Sequence, residues 1–245
     1  MPPPLQPLTE IWVYLATTPL LGLTLTLVAY QLGYWVYARG GMNPLLNPVL
    51  LAVAALVALL LATGTSYTTY FEGAQFVHFL LGPAVVALAV PLHQQLPNMR
   101  RLFVPIVGGL VAGSLTAVVS ALALAWALGA SKVTLLSLVP KSITAPIAMG
   151  IAEKIGGIPA LTAVLVVATG IIGAALGKFV FDALGIADYR VRGFALGIAA
   201  HGIGTARAFQ VDAEAGAFAG LAFGLHGALA AFLFPAIYIA LRHFM

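Results

Sequence analysis

No polar interval in this chain is long enough to build a water-soluble domain, and the apolar stretches between the intervals approach the length of membrane spans. Eight such stretches follow one another, at 11–37, 46–62, 74–93, 102–128, 133–152, 158–181, 193–209 and 216–241. A simple spanning helix needs about 20 apolar residues. The first, fourth, sixth and eighth reach that length without argument, and the second is short but adequate. Charged residues make up 7% of the 245 and hydrophobic ones 62%, where a soluble domain carries about 25% charged. So little polar surface cannot face water all round. The sequence therefore predicts an all-α polytopic membrane protein of about eight segments, with residues 1–245 forming a single integral membrane domain.

The same composition excludes several classes. The absence of cysteine rules out a disulfide framework and a thiolate metal site. No His, Asp and Glu cluster has metal-ligand spacing, so neither metal nor cofactor is expected. The net charge of +4 comes from Lys and Arg scattered mostly between apolar segments. They read as topology markers for a lipid bilayer, not as a nucleic-acid surface. Arg39 follows the first segment and Arg100 with Arg101 the third, whereas 1–10 and 64–73 carry no Lys or Arg. The positive-inside rule then places the N-terminus outside and those arginine loops in the cytoplasm. Beyond Lys132 the topology stays open, because it depends on whether segments five and seven cross or turn back. The opening MPPPLQPLTE lacks a basic n-region and reads as a short tail before a retained span.

Segments three, five and seven carry helix breakers at interior positions. Segment three holds Gly82, Pro83 and Pro91; segment five holds Pro140 and Pro146; segment seven holds Gly197, Gly202 and Gly204. Interior proline removes a backbone donor and clashes one turn back. Broken backbone survives at membrane depth only where it is buried in protein or lines a cavity, so all three are candidates for broken or re-entrant helices. A weak echo between 82–95 (GPAVVALAVPLHQQ) and 140–154 (PKSITAPIAMGIAEK) suggests an internal repeat of the kind secondary transporters use.

Two stretches combine breakers with polar groups. In VTLLSLVPKSITAPIAMG (133–150), Thr144 suits an N-cap and Pro146 falls in the first turn of a helix that would stop at Gly156 and Gly157. That half-helix N-terminus carries partial positive charge, with Lys141, Ser142 and Thr144 standing at it. Together they suit a carboxylate or another small anion. The bland alternative is a lysine snorkelling to the interface, only about 12 Å along a helix from Lys132. In HGIGTAR (201–207), Gly202 and Gly204 permit close approach, Thr205 can cap a new turn, and Arg207 is permanently charged. His201 is the candidate for proton coupling. Small-residue packing followed by an interfacial arginine is the alternative here. Thr63–Glu72 reads as an aromatic belt at the outer interface or as a pathway entrance. His78, His93 and His226 are isolated and read as packed or interfacial residues, and Asp212 and Glu214 as a solvated loop. Ser142 has no base-and-orienter pair, so a hydrolase is not expected.

The stretch 137–177, SLVPKSITAPIAMGIAEKIGGIPALTAVLVVATGIIGAALG, resembles the signature region of LrgB/CidB-type membrane proteins. RGFALGIAAHGIGTARAF (192–209) resembles their second signature, and FLLGPAVVALAVPLHQQL (79–96) a third, less specific one. The resemblance covers 10–242, nearly the whole chain. It implies a multi-pass protein of the bacterial inner membrane, usually paired with a small LrgA/CidA-type membrane partner. Two functions attach to the family: holin/antiholin-like control of murein hydrolase export and cell lysis, and transport of small carboxylates. Plastid relatives carry glycolate and glycerate, and bacterial members are linked to pyruvate. One departure is that many relatives have an acid after the PIAM stretch, where this chain has Gly150, with Glu153 following.

Buried cations on broken helices suit a carboxylate site, which a nonspecific lesion would not need. The expected function is therefore transport of small monocarboxylates, with opposed half-helices near the midplane binding the small organic anion. Lys141, Ser142, Thr144, His201, Gly202, Gly204, Thr205 and Arg207 form or surround the expected site. Lys141 and Arg207 would neutralise the anion; Ser142, Thr144 and half-helix amides would orient it. A homo-oligomer, with a dimer as the simplest case, is expected, and no enzyme activity.

Overall fold

The computed structural model describes residues 19–80 and 101–241 together with positions 83, 86, 87 and 93. Among the described residues it is all-α, without strands. The chain divides into two compact units, 1–87 and 88–245.

In the first unit α1 (Pro19–Arg39) is followed by a 3-10 turn (Pro44–Leu46), α2 (Pro48–Thr63) and α3 (Tyr67–Phe79). Asn47 caps α2 by accepting from the N–H groups of Val49 and Leu50, with Pro48 at the first position. α1 packs on α2 and α3. At Gly22 a Cβ would come within 2.6 Å of the Tyr70 carbonyl oxygen, so only glycine admits this approach of α3. Beside it the Tyr70 hydroxyl lies 2.7 Å from Thr26 Oγ1.

Segment three begins earlier than its apolar run at Ala74 suggests. Ser66 Oγ accepts from the Thr69 N–H at 3.1 Å, an N-cap that starts α3 at Tyr67. The 63–72 interval is thus partly helical, not a plain loop. Gly82 and Pro91, and most of the 82–95 half of the echo, lie outside the described residues. Pro83 occupies a helical position.

The second unit contains α4 (Phe103–Ala127), α5 (Lys132–Leu138), α6 (Ala145–Ile155), α7 (Pro159–Ala183), α8 (Tyr189–Val211) and α9 (Ala213–Leu241). α1 (from Leu20), α4, α7 and α9 (to Ala236) are long and apolar enough to cross a membrane. They correspond to segments one, four, six and eight. Eight simple spans are therefore not what forms among the described residues. α2 has only 16 residues, segment five splits into α5 and α6, and segment seven bends.

Segment five turns back on itself. After α5 comes the break at 139–144, and Gly156 ends α6 in the left-handed conformation (φ 85°). Ser137, fully buried, fastens the two ends. Its hydroxyl accepts from the Ile158 N–H at 2.8 Å, and its carbonyl accepts from Thr162 Oγ1 at 3.0 Å. The return of α6 thus lands where α7 begins.

Segment seven also turns back. Ala200 (φ −125°, ψ 16°) and His201 (φ 41°, ψ −133°) leave the helical region. Gly193 lies against the Ala215 backbone and Gly197 against Ala219, so the first arm of α8 runs parallel to α9. A straight α8 joined to α9 through Asp212 would run antiparallel. The second arm folds down the first: a Cβ on Gly204 would lie 2.6 Å from the Leu196 carbonyl oxygen. α4 is parallel to the same pair, with Ile106 packing near Phe218 and Leu221, and Leu110 near Ala222.

Candidate functional site

The two breaks reach the same place from opposite ends of α9. α8 starts at a charged rim, where Arg192 pairs with Asp182 at 2.6 Å, Lys178 with Asp182 at 3.5 Å, and Arg190 with Asp188 at 2.5 Å. Its second arm returns to that rim at Asp212, whose Oδ1 caps α9 by accepting from the N–H groups of Glu214 and Ala215. The first arm, 189–200, is about 18 Å long, close to half of a ~30 Å hydrocarbon core. α6 runs parallel to α9, with Ile147 beside Gly227 and Gly156 beside Tyr238. Its N-terminal end therefore points back to the depth of the α8 tip.

Val166 on α7 joins the two tips. Its side chain is in one buried cluster with Ile143 of the first break. Its carbonyl accepts from His201 Nε2 at 3.0 Å. His201 is only 5% exposed. A Cβ at Gly170, one turn further, would come within 2.7 Å of the imidazole, so that glycine makes room for the ring. Positive φ at a non-glycine residue costs about 1–3 kcal/mol, and the packed ring and the Val166 carbonyl hold it there.

At the first tip Lys141 Nζ donates to Ser142 Oγ at 3.0 Å. Ser142 is buried and Lys141 half-buried. Thr144 has the backbone geometry of an N-cap but makes no side-chain cap hydrogen bond. This differs from the capping its residue type suggests, and it leaves the first-turn N–H groups of α6 without a side-chain cap. Pro146 sits in that turn and has no N–H to satisfy. Ile143, two residues after Lys141, shares a buried cluster with the Val166 whose carbonyl holds His201. Lys141, Ser142, Thr144 and His201 are therefore one neighbourhood.

Other expected members do different things. Thr205 spends its hydroxyl on the His201 carbonyl at 2.9 Å, which holds the tip's backbone. Gly204 serves the close approach of the two arms, and Gly202 has open space where a Cβ would stand. Arg207 reaches Gln210 at 3.4 Å, down the second arm toward the rim. Among the described residues no group of three His, Asp and Glu could hold a metal.

His226 belongs to this neighbourhood too, although its isolation in the sequence marks it as merely packed. It is 2% exposed, with Nδ1 3.2 Å from the Ile198 carbonyl. The available signal was its place as the single titratable residue between Glu214 and Tyr238. A separate apolar cavity of about 660 Å³ lies between α4 and the first arm of α8, lined by Gly109, Gly113, Phe194 and Ile198 among others, with Asp188 and Arg190 also in its wall.

The LrgB-like family model matches residues 26–239. The protein YxaC of Bacillus subtilis (strain 168) is 38% identical over 213 residues, 87% of this chain and 92% of its own. The holin-like protein CidB of Staphylococcus epidermidis (strain ATCC 12228 / FDA PCI 1200) is 32% identical over 87% of this chain and 93% of its own. The antiholin-like protein LrgB of Bacillus mycoides (strain KBAB4) is 29% identical over 89% and 95%. No solved structure matches.

Proposed function

We propose that this protein, which belongs to the LrgB-like family, carries small monocarboxylates of the glycolate, glycerate or pyruvate type across the bacterial inner membrane. The observation that supports this reading is the convergence on Val166 of two half-helix tips, one carrying Lys141 and Ser142 and the other His201. A charged residue at membrane depth costs about 2.5–3.5 kcal/mol on insertion scales and is ordinarily retained for function. An uncapped helix N-terminus beside an ammonium group is suited to a carboxylate, which accepts hydrogen bonds from both. A closed homodimer, the commonest assembly, is the simplest arrangement, with each copy holding its own site.

A second reading is favoured by the relatives' names, holin-like and antiholin-like: a component of a lysis-control system, working with a small membrane partner. The two differ in what crosses the bilayer. Uptake of labelled glycolate and pyruvate into proteoliposomes, with a trapped dye as leak control, separates them. Saturable uptake that falls at least tenfold in Lys141→Gln, without dye loss, is expected from the carrier. Dye loss that the substitution leaves unchanged, with no saturable uptake, would replace the carrier with the lysis-control component.

A further inference from the structure

The apolar cavity of about 660 Å³ between α4 and the first arm of α8 lies apart from the two tips. Its cause is legible in the side chains. α4 turns Gly109, Ala112, Gly113, Thr116 and Ala117 toward it, and these are too small to fill the space between two helices. A Cβ on Gly109 would lie 3.2 Å from Phe194, and one on Gly113 3.1 Å from Ile198. The two helices therefore run parallel in four-residue steps, and the space between them is a groove. Pro105, Ala112 and Thr116 are exposed along it, and α4 is the least buried of the three long helices in this unit.

The groove runs from the charged rim toward the depth of the α8 tip. From Asp188 to Ala199 it follows about 17 Å of helix, close to half of a ~30 Å hydrocarbon core. That is the depth one leaflet gives to an acyl chain. The volume and the mostly apolar wall with few polar groups are those of a ligand site, which spans about 300–1,000 Å³. At the mouth stand Asp188 and Arg190, joined by hydrogen bonds of 2.5–3.2 Å. Such an exposed pair is worth little and exchanges readily for new partners. The neighbouring Arg192 is already opposed by Asp182. The mouth is thus charge-matched, and an anionic headgroup would meet Asp188 as well as Arg190. A headgroup with a phosphate and a primary ammonium satisfies both: the phosphate accepts from Arg190 and the ammonium donates to Asp188. A choline headgroup has no N–H to donate.

We propose that this groove holds a phosphatidylethanolamine molecule, with one acyl chain between α4 and α8 and the headgroup bridging Asp188 and Arg190. The site is separate from Lys141 and His201, and it stands whether the protein is a carrier or a lysis-control component. Ile198 and Ala199 line the groove and end the arm that carries His201, so a seated chain also braces that arm. A helix from a second copy is the competing occupant of an apolar groove; the charge-matched mouth favours the lipid.

The test uses the full chain in nanodiscs containing phosphatidylethanolamine with a diazirine on one acyl chain. After photolysis the labelled positions are mapped by peptide mass spectrometry. Label is expected to concentrate on 112–117 and 195–199, about fivefold over the exposed Val104, Val111 and Leu115 on the outer side of α4. Excess unlabelled phosphatidylethanolamine should displace it about fivefold better than phosphatidylglycerol or phosphatidylcholine. Ala112→Phe, at an exposed position, fills the groove and should abolish the concentrated label. Asp188→Asn should keep the label and lose the headgroup preference. Even labelling around α4, equal displacement by the three lipids, or undiminished label in Ala112→Phe overturns the proposal. A photo-reactive benzoylphenylalanine at Thr116 tests the occupant from the protein side. Crosslinking to lipid is expected, and crosslinking to a second copy or to another segment of the chain overturns the lipid assignment.

Discussion

The two re-entrant segments reach one point by different physical routes. The first is broken by its prolines: α5 stops after Leu138, Pro140 follows, and α6 restarts with Pro146 in its first turn. Ser137 and Thr162 then stitch its ends through hydrogen bonds. The second contains no proline. It turns at His201, a residue poorly suited to φ 41°, and is held by backbone contact of Gly193 and Gly197 with α9. One tip is built by what the local sequence forbids, the other by what a neighbouring helix imposes. Small residues that allow such approach are a general basis of packing in lipid.

That contrast can be broken most severely at Gly193. A leucine there meets the Ala215 backbone, which cannot yield, and is expected to destabilise by about 3 kcal/mol; detergent-stability assays should show early unfolding or aggregation. Lys141→Gln should leave thermal stability near wild type while weakening glycolate uptake about 10- to 100-fold, the value of a charge-assisted hydrogen bond. On the stitched side, Thr162→Val orphans the Ser137 carbonyl and should cost about 1–3 kcal/mol in thermal unfolding, with residual uptake.

The imposed turn at His201 gives a finer test. His201→Ala loses the Val166 hydrogen bond and keeps the unfavourable φ; His201→Gly loses the same bond and relieves the backbone. Glycine should therefore be the more stable of the two by about 1 kcal/mol, against its usual disadvantage. A less stable glycine variant would mean that the turn costs little.

The smallest effect is expected at the rim. Hydrogen bonds from the Arg190 guanidinium hold the Asp188 carboxyl down to about 2. A depressed carboxylate contributes stability above its unfolded value of about 3.9, and that contribution disappears as pH falls through about 2. The pair is exposed, so under about 1 kcal/mol is at stake. Asp188→Asn should flatten the stability profile between pH 4 and 2.

Much of this was legible in the sequence. The segments that needed no argument are the four long helices, and the α6 boundaries at Thr144 and Gly156 follow from residue type alone. Ser66 as the cap of α3 was hidden, because a hydroxyl-rich stretch looks like a loop until one serine is singled out. The exact turn of segment seven was hidden because two glycines beside His201 are easier places to bend; contact with α7 and α9 moves the turn onto the histidine. His226 is packed, as its isolation in the sequence suggests, but its partner was hidden for a similar reason. The carbonyl it bonds belongs to Ile198 on α8, and no local pattern announces it.

The folded-back course of α8 also bears on parity. In the second unit α4, α7 and α9 are each long and apolar enough to cross a membrane, while the two hairpins each return to the end they left. Three crossings by these helices would place residue 241 opposite residue 103. The loops at 184–188 and at Asp212 lie at one end of the unit despite the 23-residue helix between them. Because the chain has no cysteine of its own, single cysteines at Ile186 and Ala213 would be labelled by an impermeant reagent from the same face.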